Sequence, residues 1–105
     1  MTNNKYHIGT EMKLNISVDP IGDITMETYD FVIDVFCSPS KVLTISKKDA
    51  IKVDANNYIL LIDTTALGTG KVKVKLTAII PDDDFSDGFR TEIAIVDTGI
   101  NIVKA

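Results

Sequence analysis

The chain has no tryptophan and only one cysteine and one histidine among its 105 residues. The single cysteine, Cys37, excludes an internal disulfide and a thiolate metal cluster. The single histidine, His7, leaves no second imidazole for a zinc or iron site. Cys37 is in phase with the buried face of a predicted strand, so we interpret it as a small buried hydrophobe. We therefore expect neither enzymatic activity nor a bound cofactor.

Cationic charge and long apolar runs are also scarce. Lys and Arg number 11 against 15 Asp and Glu, giving a net charge of −4, and the lysines form no basic cluster. Nucleic-acid binding requires gathered cations that neutralise phosphates, so we expect no nucleic-acid partner.

No run reaches the roughly 18 apolar residues that span a bilayer. Residues 1–9 contain no apolar signal segment. We expect synthesis in a cytoplasm and no membrane partner.

The sequence is instead rich in short alternating segments separated by turn residues. Apolar residues make up 45% of the chain, and many are isoleucine and valine, whose β-branched side chains favour pleated strands. The pattern predicts an all-β fold, an immunoglobulin-like two-sheet antiparallel β-sandwich of seven to eight strands. We predict a flexible N-terminal segment over residues 1–9 and a single domain over residues 10–105. The predicted strands cover residues 11–18, 29–37, 41–46, 50–53, 58–62, 71–80, 90–97 and 100–103.

Turn chemistry is predicted at one end of the sandwich. Asp63 or Thr64 is suited to cap a single helical turn, because side chains of both types accept hydrogen bonds from free backbone amides. Leu67 is placed to plug the end of the core. Gly68 and Gly70 then allow the chain to reverse into the next strand.

Two strongly patterned strands within residues 71–96 are joined by an acidic loop. The first strand alternates lysine with aliphatic residues, and the loop, residues 81–90, holds four aspartates. Oxygen ligands at alternate positions suit calcium. An EF-hand register that starts at Asp82 puts Asp87 where glycine is required and Ile93 where a bidentate glutamate is required. The EF-hand is excluded, whereas a looser calcium site remains open.

A solvated turn is the alternative interpretation of this loop. In that arrangement Arg90 pairs with one of the aspartates. Phe85 or Phe89 then covers the end of the core. The loop would contribute its shape and charge to the surface without binding a metal.

Some strands also carry apolar residues on the face opposite the core. Val32 and Phe36 lie opposite the core-facing set of their strand, and Ile79 lies opposite Ile80. A contiguous apolar patch would mark an interface, and packing into a core or crevice is the alternative. Together with the loop, the candidate interface consists of Val32, Phe36, Ile79, Asp82, Phe85, Phe89 and Arg90.

Short motifs distributed along most of the chain share the pattern of a known group of proteins. They are Gly9-Thr10, Tyr29-Asp30-Phe31, Asp63-Thr64 with Gly70, Pro81-Asp82, Asp87-Gly88-Phe89-Arg90-Thr91-Glu92 and Asp97-Thr98-Gly99-Ile100. With these motifs the chain resembles small immunoglobulin-like virion structural proteins of tailed phages that infect Bacteroides, the crAss-like group. It is also similar to the immunoglobulin-like modules of phage baseplate and fibre proteins.

The resemblance implies a non-enzymatic virion protein, present in many copies, that binds capsid, fibre or tail components. A chain of this length favours a head-fibre or capsid-attached adaptor subunit, a homo-oligomer assembled through sheet faces and edges. A tail or baseplate immunoglobulin-like module is the nearest alternative. A calcium- or carbohydrate-dependent adhesion module, suggested by the acidic loop, is the alternative from another class. The implied location is the virion, after synthesis in the host bacterial cytoplasm.

Overall fold

The computed structural model describes residues 5–38 and 41–104. Over these residues the chain forms eight β-strands and two single turns of 3₁₀ helix, at Lys47–Asp49 and Thr64–Ala66. The strands are β1 (Lys5–His7), β2 (Glu11–Ser17), β3 (Asp30–Ser38), β4 (Lys41–Ser46), β5 (Ile51–Asp54), β6 (Asn57–Asp63), β7 (Gly70–Pro81) and β8 (Phe89–Val103).

The strands form two sheets of unequal width. The large sheet has five strands in the order β1-β8-β7-β3-β4, and the small sheet has three in the order β2-β6-β5. The prediction of an all-β, two-sheet architecture is confirmed. The prediction that it is entirely antiparallel is wrong at one place, because β1 runs parallel to β8.

Residues that alternate along the strands build one core between the two sheets. In β3 the side chains of Phe31, Ile33 and Val35 are fully buried. Alternate residues of β7 are buried in the same way, although Leu76 is only half-buried. Burial of each large apolar side chain contributes about 1.5–3 kcal/mol. The small sheet supplies to the same cluster Met12, Leu14, Tyr58, Leu60 and Ile62.

One end of the core is closed as the turn chemistry predicts. The Asp63 carboxylate caps the 3₁₀ turn by accepting a hydrogen bond from the Thr65 amide at 3.0 Å. Leu67 is buried directly after this turn. The buried Thr64 hydroxyl donates to the Thr10 carbonyl at 2.7 Å and accepts from the Gly9 amide at 3.0 Å. These bonds join the end of β6 to the beginning of β2.

β8 is a single strand of 15 residues where the sequence predicts two. The predicted break falls at Thr98-Gly99, next to the point where the pairing with β7 shifts register. The Thr98 hydroxyl donates to the Val72 carbonyl at 2.8 Å, and the Asp97 carboxylate accepts from the Gly99 amide at 2.9 Å. These side-chain bonds bridge the irregularity, so the strand continues to Val103.

Part of the N-terminal segment pairs with the large sheet, and the predicted flexibility of residues 1–9 stays a prediction. β1, Lys5–His7, lies within the stretch predicted to be flexible, and residues 1–4 lie outside the described residues. Lys5 to His7 pair with Asn101 to Val103, and the Ile8 amide donates to the Val103 carbonyl at 2.8 Å. Tyr6 and Ile8 pack against the core, so contacts with the core accompany the strand pairing of this short segment.

Candidate protein-interaction surfaces

The acidic loop is a compact turn closed by its own backbone. The Asp82 amide donates to the Gly88 carbonyl at 2.8 Å, and the Gly88 amide donates to the Phe85 carbonyl at 2.9 Å. The Asp82 carboxylate also accepts from the Asp84 amide at 3.0 Å. The loop therefore holds β7 and β8 together as a closed hairpin and has a defined shape.

Arg90 ties this loop to the start of β8. Its guanidinium lies 2.7 Å from the Asp82 carboxylate and 3.3 Å from the Glu92 carboxylate. The hydrogen bond from Arg90 is the main cause that holds the pKa of Asp82 below its ordinary value. The same bond raises the pKa of Arg90. The predicted pairing of Arg90 with an aspartate is confirmed.

Neither aromatic residue of the loop covers the core. Phe85 is 50% exposed at the tip of the turn, and Phe89 is 48% exposed. Phe89 pairs with Pro81, whose position in β7 points away from the small sheet. The prediction that one of the two residues covers the end of the core is therefore wrong. Both are available at the surface.

Side chains suited to metal binding or catalysis are dispersed. Over residues 5–38 and 41–104, no three His, Cys, Asp or Glu side chains gather where they could hold a metal ion. Cys37 packs half-buried against the core, and its thiol donates to the Gly70 carbonyl at 3.6 Å. Burial raises the pKa of this thiol, which disfavours the nucleophilic thiolate. His7 is exposed in β1.

The outer face of the large sheet brings together four of the seven predicted interface residues. Val32 and Phe36 of β3 alternate with the buried residues of that strand and are half-buried. Ile79 pairs with Asp30 of β3, which places it in the same layer. Phe89 belongs to this face through its pairing with Pro81. Asp82, Phe85 and Arg90 lie in or beside the loop at one end of the sheet.

The same face contains two large apolar residues that the sequence interpretation missed. Ile93 and Ile95 of β8 are 57% and 64% exposed. Ile93 pairs with Thr77, and Thr77 pairs with Val32, so one row of this face crosses three strands. Apolar residues on both faces of the segment 91–97 were the available signal. We call this surface, with Val32, Phe36, Ile79, Phe89, Ile93 and Ile95, the outer apolar face.

The inner face of β8 is uncovered as well. Residues 91–97 are exposed at every position, whichever way their side chains point. Ala94 and Val96 pair with Leu76 and Val74 of β7, and therefore share the core-facing side of the large sheet. Val96 is nevertheless 55% exposed. The small sheet is two strands narrower than the large sheet, and it ends before it covers this part of β8.

A groove runs between the edge of the small sheet and β8. It has a volume of about 580 Å³ and is lined by residues 14–19 and by Val74, Leu76, Ala94 and Val96, among others. A second hollow of about 360 Å³ shares Val18, Leu76 and Ala94 with it and extends past Glu92. We call the two together the β2–β8 groove.

Comparison with known proteins finds no relative of this chain. The chain matches no protein-family model, no curated protein and no solved structure. Within the described ranges, none of the helical turns has the length and apolar character needed to cross a membrane.

Proposed function

We propose that this chain is a non-enzymatic structural subunit of a phage virion, a head-fibre or capsid-attached adaptor that assembles into a homo-oligomer. The observation that carries the proposal is the exposure of residues 91–97 on both faces of β8. An apolar strand left uncovered on both sides is costly for an isolated protein and is typical of interaction sites. The proposed contact between copies is the outer apolar face.

The charges of the outer apolar face support contact between identical copies. Lys75 pairs across the sheet with Asp34, and Lys73 pairs with Asp97, so both signs of charge lie among the apolar residues. A two-fold contact brings the same patch of both subunits together. Because neither sign dominates the patch, two copies can approach without a large excess of like charge.

The virion location and the immunoglobulin-like assignment rest on the resemblance of the turn motifs. Two facing sheets with eight strands are compatible with an immunoglobulin-like sandwich. Other virion proteins of the capsid, fibre or tail are the proposed partners. A tail or baseplate module uses the same surfaces and differs only in where it binds.

The adhesion alternative is less well supported by the loop geometry. Asp82, the first ligand of the calcium register, already binds Arg90 at 2.7 Å and the Asp84 amide at 3.0 Å. Calcium would have to displace Arg90 to use both oxygens of this carboxylate. We therefore assign the loop to the shape of the assembly surface.

Light scattering after size-exclusion chromatography tests the oligomer. We expect the wild-type chain to elute as an oligomer and the double variant Ile93→Lys with Ile95→Lys to elute as a folded monomer. In the variant, each subunit would have to bury two charged lysines in the contact, which costs free energy. Leu61→Lys is the control, since Leu61 is equally exposed but lies on the small sheet. A wild-type monomer at every concentration, together with its absence from purified particles, would contradict the proposal.

A further inference from the structure

The residues that line the β2–β8 groove reveal which element is missing from it. β2 and its extension contribute the consecutive residues 14–19, whereas β7 and the regular part of β8 contribute the alternate residues Val74, Leu76, Ala94 and Val96. β8 adds Asp97, Thr98 and Ile100 where its register with β7 shifts. Consecutive residues of a strand line a cavity when its backbone edge faces the cavity. Alternate residues line it when one face of the sheet forms the floor. The wall of the groove is therefore the edge of β2, and its floor is the inner face of β7 and β8.

The edge of β2 that faces the groove has no strand beside it in the described residues. β2 pairs with β6 alone, in an unbroken register from Glu11 opposite Asp63 to Ser17 opposite Asn57. Its N–H and C=O groups on the other side are available to a further strand. β2 has no proline or bulge of the kind that blocks strand addition. A strand placed there would lie over the uncovered inner face of β8.

The groove also specifies the chemistry of that strand. Its floor of Val74, Leu76, Ala94 and Val96 suits apolar side chains at alternate positions of an extended segment. The charged residues that line its two hollows are Asp19, Asp97 and Glu92, and no lysine or arginine lines them in the described part of the chain. Arg90 contacts Glu92 at 3.3 Å and Lys73 pairs with Asp97 across the sheet, but neither cation lines the groove. Cationic residues that flank the apolar positions would complement these carboxylates.

We infer that the β2–β8 groove accepts one extended segment of a partner protein, with alternate apolar residues flanked by lysine or arginine, as a fourth strand of the small sheet. The inference rests on the proposed function as an assembly subunit and identifies how a different virion protein is held. A second folded copy is a poor occupant, because β7, the longest strand that alternates lysine with aliphatic residues in the described part of the chain, is paired on both edges. The edge strand β5 has four residues, a single lysine and a register shift in its pairing with β6.

The test is a titration of the isotope-labelled full chain with a synthetic peptide of alternating valine and threonine flanked by lysines, followed by NMR. We expect saturable shifts and slowed amide exchange in residues 14–18. The same peptide with N-methyl groups on alternate amides should bind at least about tenfold more weakly, because it loses the hydrogen bonds to β2. Ala94→Lys should weaken binding to a similar degree, because it places a charge on the floor of the groove.

Ala66→Lys is the matched control, since Ala66 is exposed in the 3₁₀ turn outside the groove, and it should leave the affinity unchanged. Absence of binding, or binding unaffected by Ala94→Lys, would overturn the inference. Slowed exchange confined to residues 91–97 would also overturn it, by showing strand addition to β8. Equal binding of an aspartate-flanked peptide would refute the stated chemistry. None of these outcomes bears on whether the chain is an oligomer or is present in virus particles. Those two measurements test the proposed function separately.

Discussion

Arg90 shows how one side chain can fix the shape of a charged surface. Its guanidinium contacts Asp82 at one end of the loop and Glu92 in β8, so it ties the loop to the strand. Partly exposed ion pairs add little to stability because water screens them and the side chains lose freedom. The contribution of Arg90 is therefore mainly geometric, in that it sets the direction in which the acidic loop projects from the sheet.

Replacement of Asp82 by asparagine should change how stability depends on pH. The pKa of Asp82 is held below its ordinary value of 3.8, so the folded state binds the proton less readily than the unfolded state. This contribution to stability is present above about pH 4 and is lost as the pH falls through the folded-state pKa. Thermal unfolding followed by circular dichroism should show a smaller acid-induced fall in Tm for Asp82→Asn than for wild type.

The neighbouring exposed residue Asp83 provides the control for this experiment. Asp83→Asn makes the same change of charge one position along the chain, away from the contact with Arg90. Its Tm should follow the wild-type pH profile. Identical profiles for Asp82→Asn and wild type would show that the contact with Arg90 has no role in acid stability.

At the scale of the element, β8 contains a local irregularity at Gly99 where a regular strand would be interrupted. The register with β7 shifts between Lys71 and Lys73, and Gly99 adopts a φ of 76°. This left-handed conformation is easy for glycine and costly for residues with a Cβ atom. The irregularity separates the part of β8 that pairs with β7 alone from residues Asn101 and Ile102, which pair with both β7 and β1.

Gly99→Ala should lower the free energy of unfolding by about 1–2 kcal/mol through backbone strain alone. A Cβ atom at this position would meet no heavy atom within 4 Å, so crowding does not contribute. Gly99→Asn should cost less, because asparagine tolerates the left-handed region. Urea denaturation measures all three proteins, and an alanine variant at least as stable as the asparagine variant would refute the role of φ.

At the scale of the whole molecule, aromatic contacts across the core join the two sheets. The ring of Phe31 in β3 packs edge-on against Tyr58 in β6, with their centroids 5.1 Å apart, and against Tyr29 at 6.3 Å. The ammonium group of Lys47 lies 5.9 Å from the centre of the Phe31 ring and donates to the Tyr29 carbonyl at 2.8 Å. One residue thus connects both sheets and a surface turn, which favours cooperative unfolding.

Phe31→Ala should destabilise the chain by about 3–5 kcal/mol, the usual cost of removing a buried phenylalanine. Phe85→Ala, which removes the same side chain from the exposed tip of the loop, should change stability by less than about 1 kcal/mol. Urea denaturation followed by both tyrosine fluorescence and circular dichroism measures these differences. Similar losses for the two variants would mean that Phe31 does not hold the sheets together.

Local chemistry explains which parts of this molecule the sequence could predict. The alternation of Phe31, Ile33 and Val35, and the cap at Asp63, follow from neighbouring residues and were predicted correctly. The continuity of β8 was not predicted, because Thr98 and Gly99 have the chemistry of a turn, and the hydrogen bond from the Thr98 hydroxyl to Val72 depends on the partner strand β7.

The features that the sequence did not predict depend on which distant strands cover a given face. Alternation shows which residues share a face, but it does not show whether a second sheet lies over that face. The exposure of Val96 and the groove beside Ala94 depend on the small sheet ending at β2, whereas Ile93 and Ile95 are exposed because they lie on the face that points away from the small sheet. The pairing of β1 with β8 joins residues at opposite ends of the sequence, which local patterns do not encode.

That parallel pairing also leads us to expect β1 to form late during folding. Residues 5–7 cannot take their place until residues 101–103 are present, so β1 waits while the rest of the chain is made. Contacts between residues so distant in sequence carry a large loop-closure entropy and form slowly. The hairpin of β7 and β8 needs only a short loop to close. We therefore expect β1 to join the large sheet after the strands that local connections bring together.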